Sequence, residues 1–171
     1  MASLTDIVTS TPYISKSLWG DPLTARVNLL SKPPIAIVKR TTTQSIANGT
    51  VTQISWDTVV SDPLGIATTG VAPFTVPYSA AYLIIGNVGW AANATGTRLW
   101  NVCDGANSGL GFQMNIPAIG GGLEQGAYAG SIYKLNAGNQ VGFQVYQSSG
   151  GALNVSAGFP ASLAICLLAY L

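Results

Sequence analysis

Histidine is absent from the 171 residues. That absence removes histidine-based triads, histidine metal sites and the commonest general base at neutral pH. Charge is scarce as well: Asp, Glu, Lys and Arg together make up 8% of the chain, where a soluble domain carries about a quarter. The net charge of +1 offers no electrostatic footprint for nucleic acid or an anionic membrane. Two cysteines, Cys103 and Cys166, are too few for a structural zinc site or a disulfide framework. They sit in apolar strand patterns and read as buried free thiols, a disulfide between them being the alternative. The longest apolar run, residues 161–171, is far shorter than the roughly 20 residues of a membrane helix. The N-terminus shows no basic region followed by an apolar core. The expectation is a soluble protein made in a cytoplasm, with no membrane insertion.

What is present is apolar: 48% of the residues. A monomer rarely leaves large apolar patches in water, so this balance favours an oligomer. Charge is also unevenly placed. Up to Arg40 there are five basic and two acidic residues, and beyond it two basic and four acidic, giving +3 and −2.

Residues 1–34 read as a short docking arm. Tyr13, Leu18 and Trp19 lie among loop residues, and Asp21-Pro22 opens a short candidate helix with Leu23, Val27 and Leu30 on one face. Lys32-Pro33-Pro34 ends it. The alternative is a free tail. From Ile35 the pattern is all-β. Ile35–Val38 with Thr41–Ser45 reads as a first strand, and Asn48-Gly49 turns the chain into a second over Thr50–Trp56. A loop over 61–73 precedes a short edge strand at Phe74–Pro77. Residues 81–100, AYLIIGNVGWAANATGTRLW, read as a long hairpin turning at Asn93–Gly96, with Trp90 as a core anchor.

Leu110–Ile116 and Leu123–Leu135 follow as strands, the latter placing Tyr128, Ile132 and Tyr133 in a core. Val141–Tyr146 alternates plainly. Ala161–Leu171 is apolar on both faces, the pattern of a strand in a sheet interior whose outer face another copy covers. Short strands between turns, with no helix in the domain, predict an all-β jelly-roll sandwich.

Catalytic chemistry finds little support. Glu124 and Asp104 are the one acid–base pairing on offer, and isolated surface or interface charges are the preferred reading. Asp104–Asn107 resembles the start of a calcium loop whose later ligands are missing. No glycine-rich run stands between a strand and a helix to cradle phosphate. Arg98 and Glu124 are rare charges in apolar surroundings, fitting either an interface ion pair or a solvated strand edge.

A series of short motifs carries a resemblance. Thr43–Thr50 (TQSIANGT), Trp56-Asp57, Tyr82-Leu83, Val88–Ala91 and Gly96–Arg98 are followed in order by Gly121–Gln125, Leu135–Asn139 and Val145–Gly151. The series resembles the jelly-roll domains of tailed-bacteriophage structural proteins, themselves similar to complement globular heads and the tumour necrosis factor superfamily. It spans residues 36–171. The resemblance implies a homotrimer packed along a threefold axis, with Trp90, Tyr128, Tyr133, Tyr146, Leu167 and Tyr170 at the core or trimer interface. It implies no cofactor, and the dense carboxylates that calcium would need are not in the sequence.

The function it implies is a non-enzymatic virion structural protein on the particle surface, a minor capsid, head-decoration or head-fibre knob. Tyr13, Leu18, Trp19 and Arg26 would dock it to other virion proteins, chiefly the major capsid protein. The alternative is a tail-fibre or tail-tip protein that recognises a host surface glycan, with Trp100 as ligand contact and Tyr146 beside it.

Overall fold

The structure is a computed structural model that describes residues 33–71, 73–105, 109–119, 125–155 and 158–171. The chain divides into two units, Met1–Pro34 and Ile35–Leu171, and the strands among the described residues belong to the second. The arm residues Tyr13, Leu18, Trp19 and Arg26, with the expected short helix, lie outside the described residues.

Among the described residues there are strands and no helix. In chain order they are β1 (Ile35–Arg40), β2 (Gln44–Ile46), β3 (Thr52–Gln53), β4 (Thr58–Ser61), β5 (Phe74–Thr75) and β6 (Ala80–Trp90). β7 (Thr97–Cys103), β8 (Gly109–Pro117), β9 (Gln125–Leu135), β10 (Gln140–Gln147), β11 (Leu153–Val155) and β12 (Ala161–Tyr170) complete the set. One sheet runs β2–β11–β6–β12–β1–β4, with β9 paired along the other side of β6. The second runs β3–β10–β7–β8, with β5 on the start of β10. The strands pair antiparallel throughout both sheets, and together the sheets form a jelly-roll sandwich.

The core is what period-two alternation demands. β6 sends Tyr82, Ile84, Val88 and Trp90 inward, all fully buried, and β12 adds Leu163, Ile165 and Leu167. Val141, Phe143 and Val145 of β10, with Trp100, Val102 and Cys103 of β7 and Phe74 of β5, are buried apolar residues of the other sheet. Each such side chain contributes about 1.5–3 kcal/mol relative to exposure. Gly86 packs against a side chain of the opposite sheet. A Cβ there would lie 2.3 Å from Cε2 of Phe143, so the ring occupies the space a side chain would need.

Five expectations change. The first strand, expected over Ile35–Val38 with Thr41–Ser45, is two: β1 pairs with β12 and β4, and β2 with β11. The stretch 81–100 is not a hairpin: β6 pairs with β9, β11 and β12, while β7 pairs with β8 and β10, so residues 91–96 cross between the sheets. The second strand is shorter than Thr50–Trp56, reduced to β3 and a bridge from Trp56 to Gly70, and β4 is an added strand. Tyr128 and Ile132 face outward, 72% and 61% exposed, whereas Tyr133 is buried. β10 is buried at every position from Val141 to Val145 rather than alternating, and it lies inside its sheet, with β7 on one side and β3 and β5 on the other.

The antiparallel registers sort the strand ends into two poles. Ile35, Ala80, Leu135, Gln140 and Tyr170 gather at the pole where the chain enters the sandwich. Trp90, Thr97, Gln125, Gln147 and Val155 gather at the far pole.

Candidate functional site

The outer face of the first sheet is apolar among the described residues. Residues that alternate with the core set, Leu83 and Ile85 on β6, register against Ile132 and Gly130 on β9 and against Cys166 and Ala164 on β12. Ile35 and Ile37 of β1 continue the strip beyond Cys166 and Ala164. Ile85 is 41% exposed, and with Ile132 and Tyr128 it forms an apolar surface. Between them lies an open depression of about 280 Å³ lined by Leu83, Ile85, Tyr128, Ala129 and Gly130. Gly130 forms its floor: a Cβ there would lie 2.8 Å from Cγ1 of Ile85. The charges registered into this face, Lys39 and Lys134, stand opposite Ser162 and Ala81 at its ends. Asn87 and Ser162 hydrogen-bond to each other beside it, and Asn87 Nδ2 donates to the Pro160 carbonyl at 2.9 Å.

The far pole is knitted by two buried side chains. Arg98 is 1% exposed. Its guanidinium donates to the carbonyls of Thr95 at 2.9 Å, Thr97 at 3.0 Å and Asn93 at 3.1 Å, and it stands 6.0 Å from the Trp90 ring centroid. Burial lowers its pKa, yet an arginine so lowered stays charged. Arg98 is therefore neither a solvated strand edge nor exposed at an interface. It is the clamp of the crossover. Gln147, fully buried, donates to the carbonyls of Ile46 and Gly151 and accepts from the Ser149 amide. Gly96, at φ 74°, is needed twice over: its backbone is left-handed, and a Cβ would stand 1.9 Å from the Ser148 carbonyl.

At the edge of the first sheet, the Asp57 carboxylate accepts from the amides and hydroxyls of Thr41 and Thr42 and from the Thr58 hydroxyl, with Arg40 at 3.8 Å. The little burial it has pushes its pKa up, and these hydrogen bonds outweigh that, holding it well below the usual carboxylate range. Cys103 and Cys166 are free and buried. Burial, helped by the charge of Asp104, pushes the Cys103 thiol up to about 11.

The structure separates the sequence-predicted residues. Trp90, Tyr133 and Leu167 belong to the core of the sandwich, Tyr128 and Tyr170 are exposed, and Tyr146 is half-buried opposite Leu99. Trp100 is fully buried inside the sandwich, so it cannot stack on a ligand, which corrects its assignment as a contact. Tyr170 meets Tyr78 edge to face at the entry pole, ring centroids 5.5 Å apart. Glu124 lies outside the described residues, so the Asp104–Glu124 pairing has no geometry here. Sequence reading misses Ile85, whose apolar neighbours Ile84 and Leu83 hide which of them faces out. It also misses Gln147, which nothing local distinguishes from a surface glutamine.

No family model and no curated protein matches the chain. Solved structures do. Murine APRIL is similar at 18% identity with a TM-score of 0.59, over 80% of this chain and 100% of that one. The globular domain of zebrafish complement 1qA matches at 12% identity and TM-score 0.57, over 80% of this chain and 98% of that one. Eiger TNF from S. frugiperda matches at 12% and 0.57, over 81% and 94%. At these identities the likeness shows the fold, a jelly roll of the tumour necrosis factor and complement globular-head kind.

Proposed function

We propose that the chain is a non-enzymatic, homotrimeric accessory knob of a tailed-bacteriophage particle, held by residues 1–34 and sited on the head as a decoration or head-fibre protein. The observation that carries this reading is the apolar outer face around Leu83, Ile85, Tyr128 and Ile132. A surface of this kind on so weakly charged a chain calls for a cover of the same chemistry. A closed ring of copies supplies it without an open end, and the resemblance to the complement-head and tumour necrosis factor superfamily points to three. The basic, Trp19-bearing segment before Thr41 supports particle docking, and the missing histidine supports a non-enzymatic role.

Sedimentation of the full chain tests the assembly. Three copies of 17.6 kDa are expected, and a folded monomer is expected when Ile85→Lys and Ile132→Glu are combined. A wild-type monomer at micromolar concentration refutes the trimer. Gold labelling of intact particles with an antibody to residues 35–171 tests the placement. Label over the head supports it, label at the tail tip refutes head placement, and unlabelled particles refute the virion role.

A further inference from the structure

The far pole combines three properties that seldom coincide on exposed loops. Its loops over residues 47–51, 91–96 and 148–152 contain no Asp, Glu, Lys or Arg. It is rigidly cross-braced. Gly49 N–H donates to the Gln147 carbonyl at 2.8 Å, Ser148 N–H to the Thr97 carbonyl at 3.1 Å, and Ala91 N–H to the Asn154 carbonyl at 2.9 Å. Arg98 and Gln147 hold the same loops from below.

It also presents aimed donors. The Asn48 side-chain oxygen accepts the Gly150 N–H at 2.8 Å, and that of Asn93 accepts the Thr95 N–H at 2.8 Å. Because a backbone N–H must meet oxygen, these bonds fix which amide atom is which. The Nδ2 groups of Asn48 and Asn93 are left without a bond to any described residue. Thr95 and Ser149 hydroxyls accompany them, and Phe159, 52% exposed, lies over Gly89 at the same end of β6.

We infer that the far-pole loops form a binding surface for a neutral saccharide. Fixed amide donors and hydroxyls match sugar hydroxyl and ring oxygens, and the pre-ordered loops remove the entropic cost of arranging them. The one arginine beneath these loops, Arg98, is buried and bonded to backbone carbonyls, so the loops offer sialylated, sulfated or phosphorylated glycans no exposed cation. The pole is the end of the sandwich opposite Ala80, Leu135 and Tyr170. That a host sugar meets it rests on the proposed particle role. Three copies in a trimer multiply a weak site through avidity.

The test applies the full-length chain to an array of neutral hexose-, N-acetylhexosamine- and deoxyhexose-terminated oligosaccharides beside sialylated and sulfated ones. Asn48→Asp and Asn93→Asp keep the oxygen that holds each loop and remove the Nδ2 donor, and Tyr78→Ala at the entry pole is the control. Binding confined to neutral sugars, weakened about tenfold or more by each Asp variant and unchanged by Tyr78→Ala, supports the site. Binding confined to anionic glycans, binding indifferent to both Asp variants or lost in Tyr78→Ala, or silence across the array overturns it. A silent array with labelled particles overturns this inference alone. Sugar binding by a chain that labels no particle overturns the virion reading and leaves this site standing.

Discussion

Replacing Arg98 by methionine removes the guanidinium and keeps much of the stem's volume. Three charge-assisted bonds to the carbonyls of Asn93, Thr95 and Thr97 are lost, each worth about 1.5–3 kcal/mol. Against this, the charge no longer has to be desolvated, a saving of several kcal/mol. The difference is a net loss of about 3 kcal/mol, since residues 94–96 are exposed and water reaches part of what is orphaned. Arg98→Lys, which reaches fewer of the carbonyls from one ammonium, should cost about half as much, and Arg98→Ala more because it also leaves a cavity beside Trp90. Urea unfolding at one fixed protein concentration measures the difference, the constraint being necessary because the proposed association would add its own stability. Amide exchange over residues 91–96 should quicken in Arg98→Met while the amides of β6 and β12 keep their order. An unchanged urea midpoint with unchanged exchange would refute the view that this charge holds the crossover.

Three further outcomes rest on the same geometry. Asp57 titrates lower when folded than its unfolded value of about 3.8. Its contribution is therefore present above that pH and is lost as pH falls below it. Urea midpoints should hold from about pH 8 to 5 and drop below about 4, with the drop blunted in Asp57→Asn; identical acid profiles would refute this. Gly86→Ala drives a methyl into the Phe143 ring and should cost about 1–3 kcal/mol, part of it recovered by adding Phe143→Leu, and a neutral single variant would show the sheets can part there. Ellman's reagent should find no reactive thiol in the native chain and two in urea, given the burial of Cys103 and Cys166 and the raised Cys103 pKa; rapid labelling of the folded protein would contradict their placement.

The sandwich is legible in the sequence because its central strands carry the strongest patterns. β12 is apolar on both faces and does lie in the sheet interior, and Trp90 is the buried anchor its alternation implies. The hairpin reading fails because a six-residue link with Asn93, Thr95 and Gly96 has the same local chemistry whether it joins neighbouring strands or crosses between sheets. Only pairing with β9 and β12, far away in sequence, decides. Tyr128 and Ile132 mislead for a related reason. Alternation says that Tyr128, Ile132 and Lys134 share a face and that Tyr133 and Leu135 share the other, but with apolar residues on both it does not say which face is inside. Trp100 sits near loop chemistry in the chain and deep in the core in space. The far-pole braces depend on contacts such as Asn48 to Gly150 and Gln147 to Ile46, about a hundred residues apart, and no local signal announces them.

Scarce charge does not mean scarce polar cohesion here. The fold uses uncharged amides where other proteins use ion pairs: Gln44 joins the Gln53 carbonyl to the Ser55 amide, Gln125 donates to the Pro117 carbonyl, and Gln147 spans three backbone groups. An amide offers a donor and an acceptor at once and enters the interior without the desolvation cost of an ion. Gln147→Glu would lose both donated bonds and bury a charge. Such a scheme stabilises the sandwich but leaves its surface with little electrostatic repulsion to keep copies apart. Under the proposed trimer, the apolar face around Ile85 and Ile132 is covered by closure into a ring rather than by open-ended association. On that proposal, loss of closure without added charge should precipitate the protein before it unfolds.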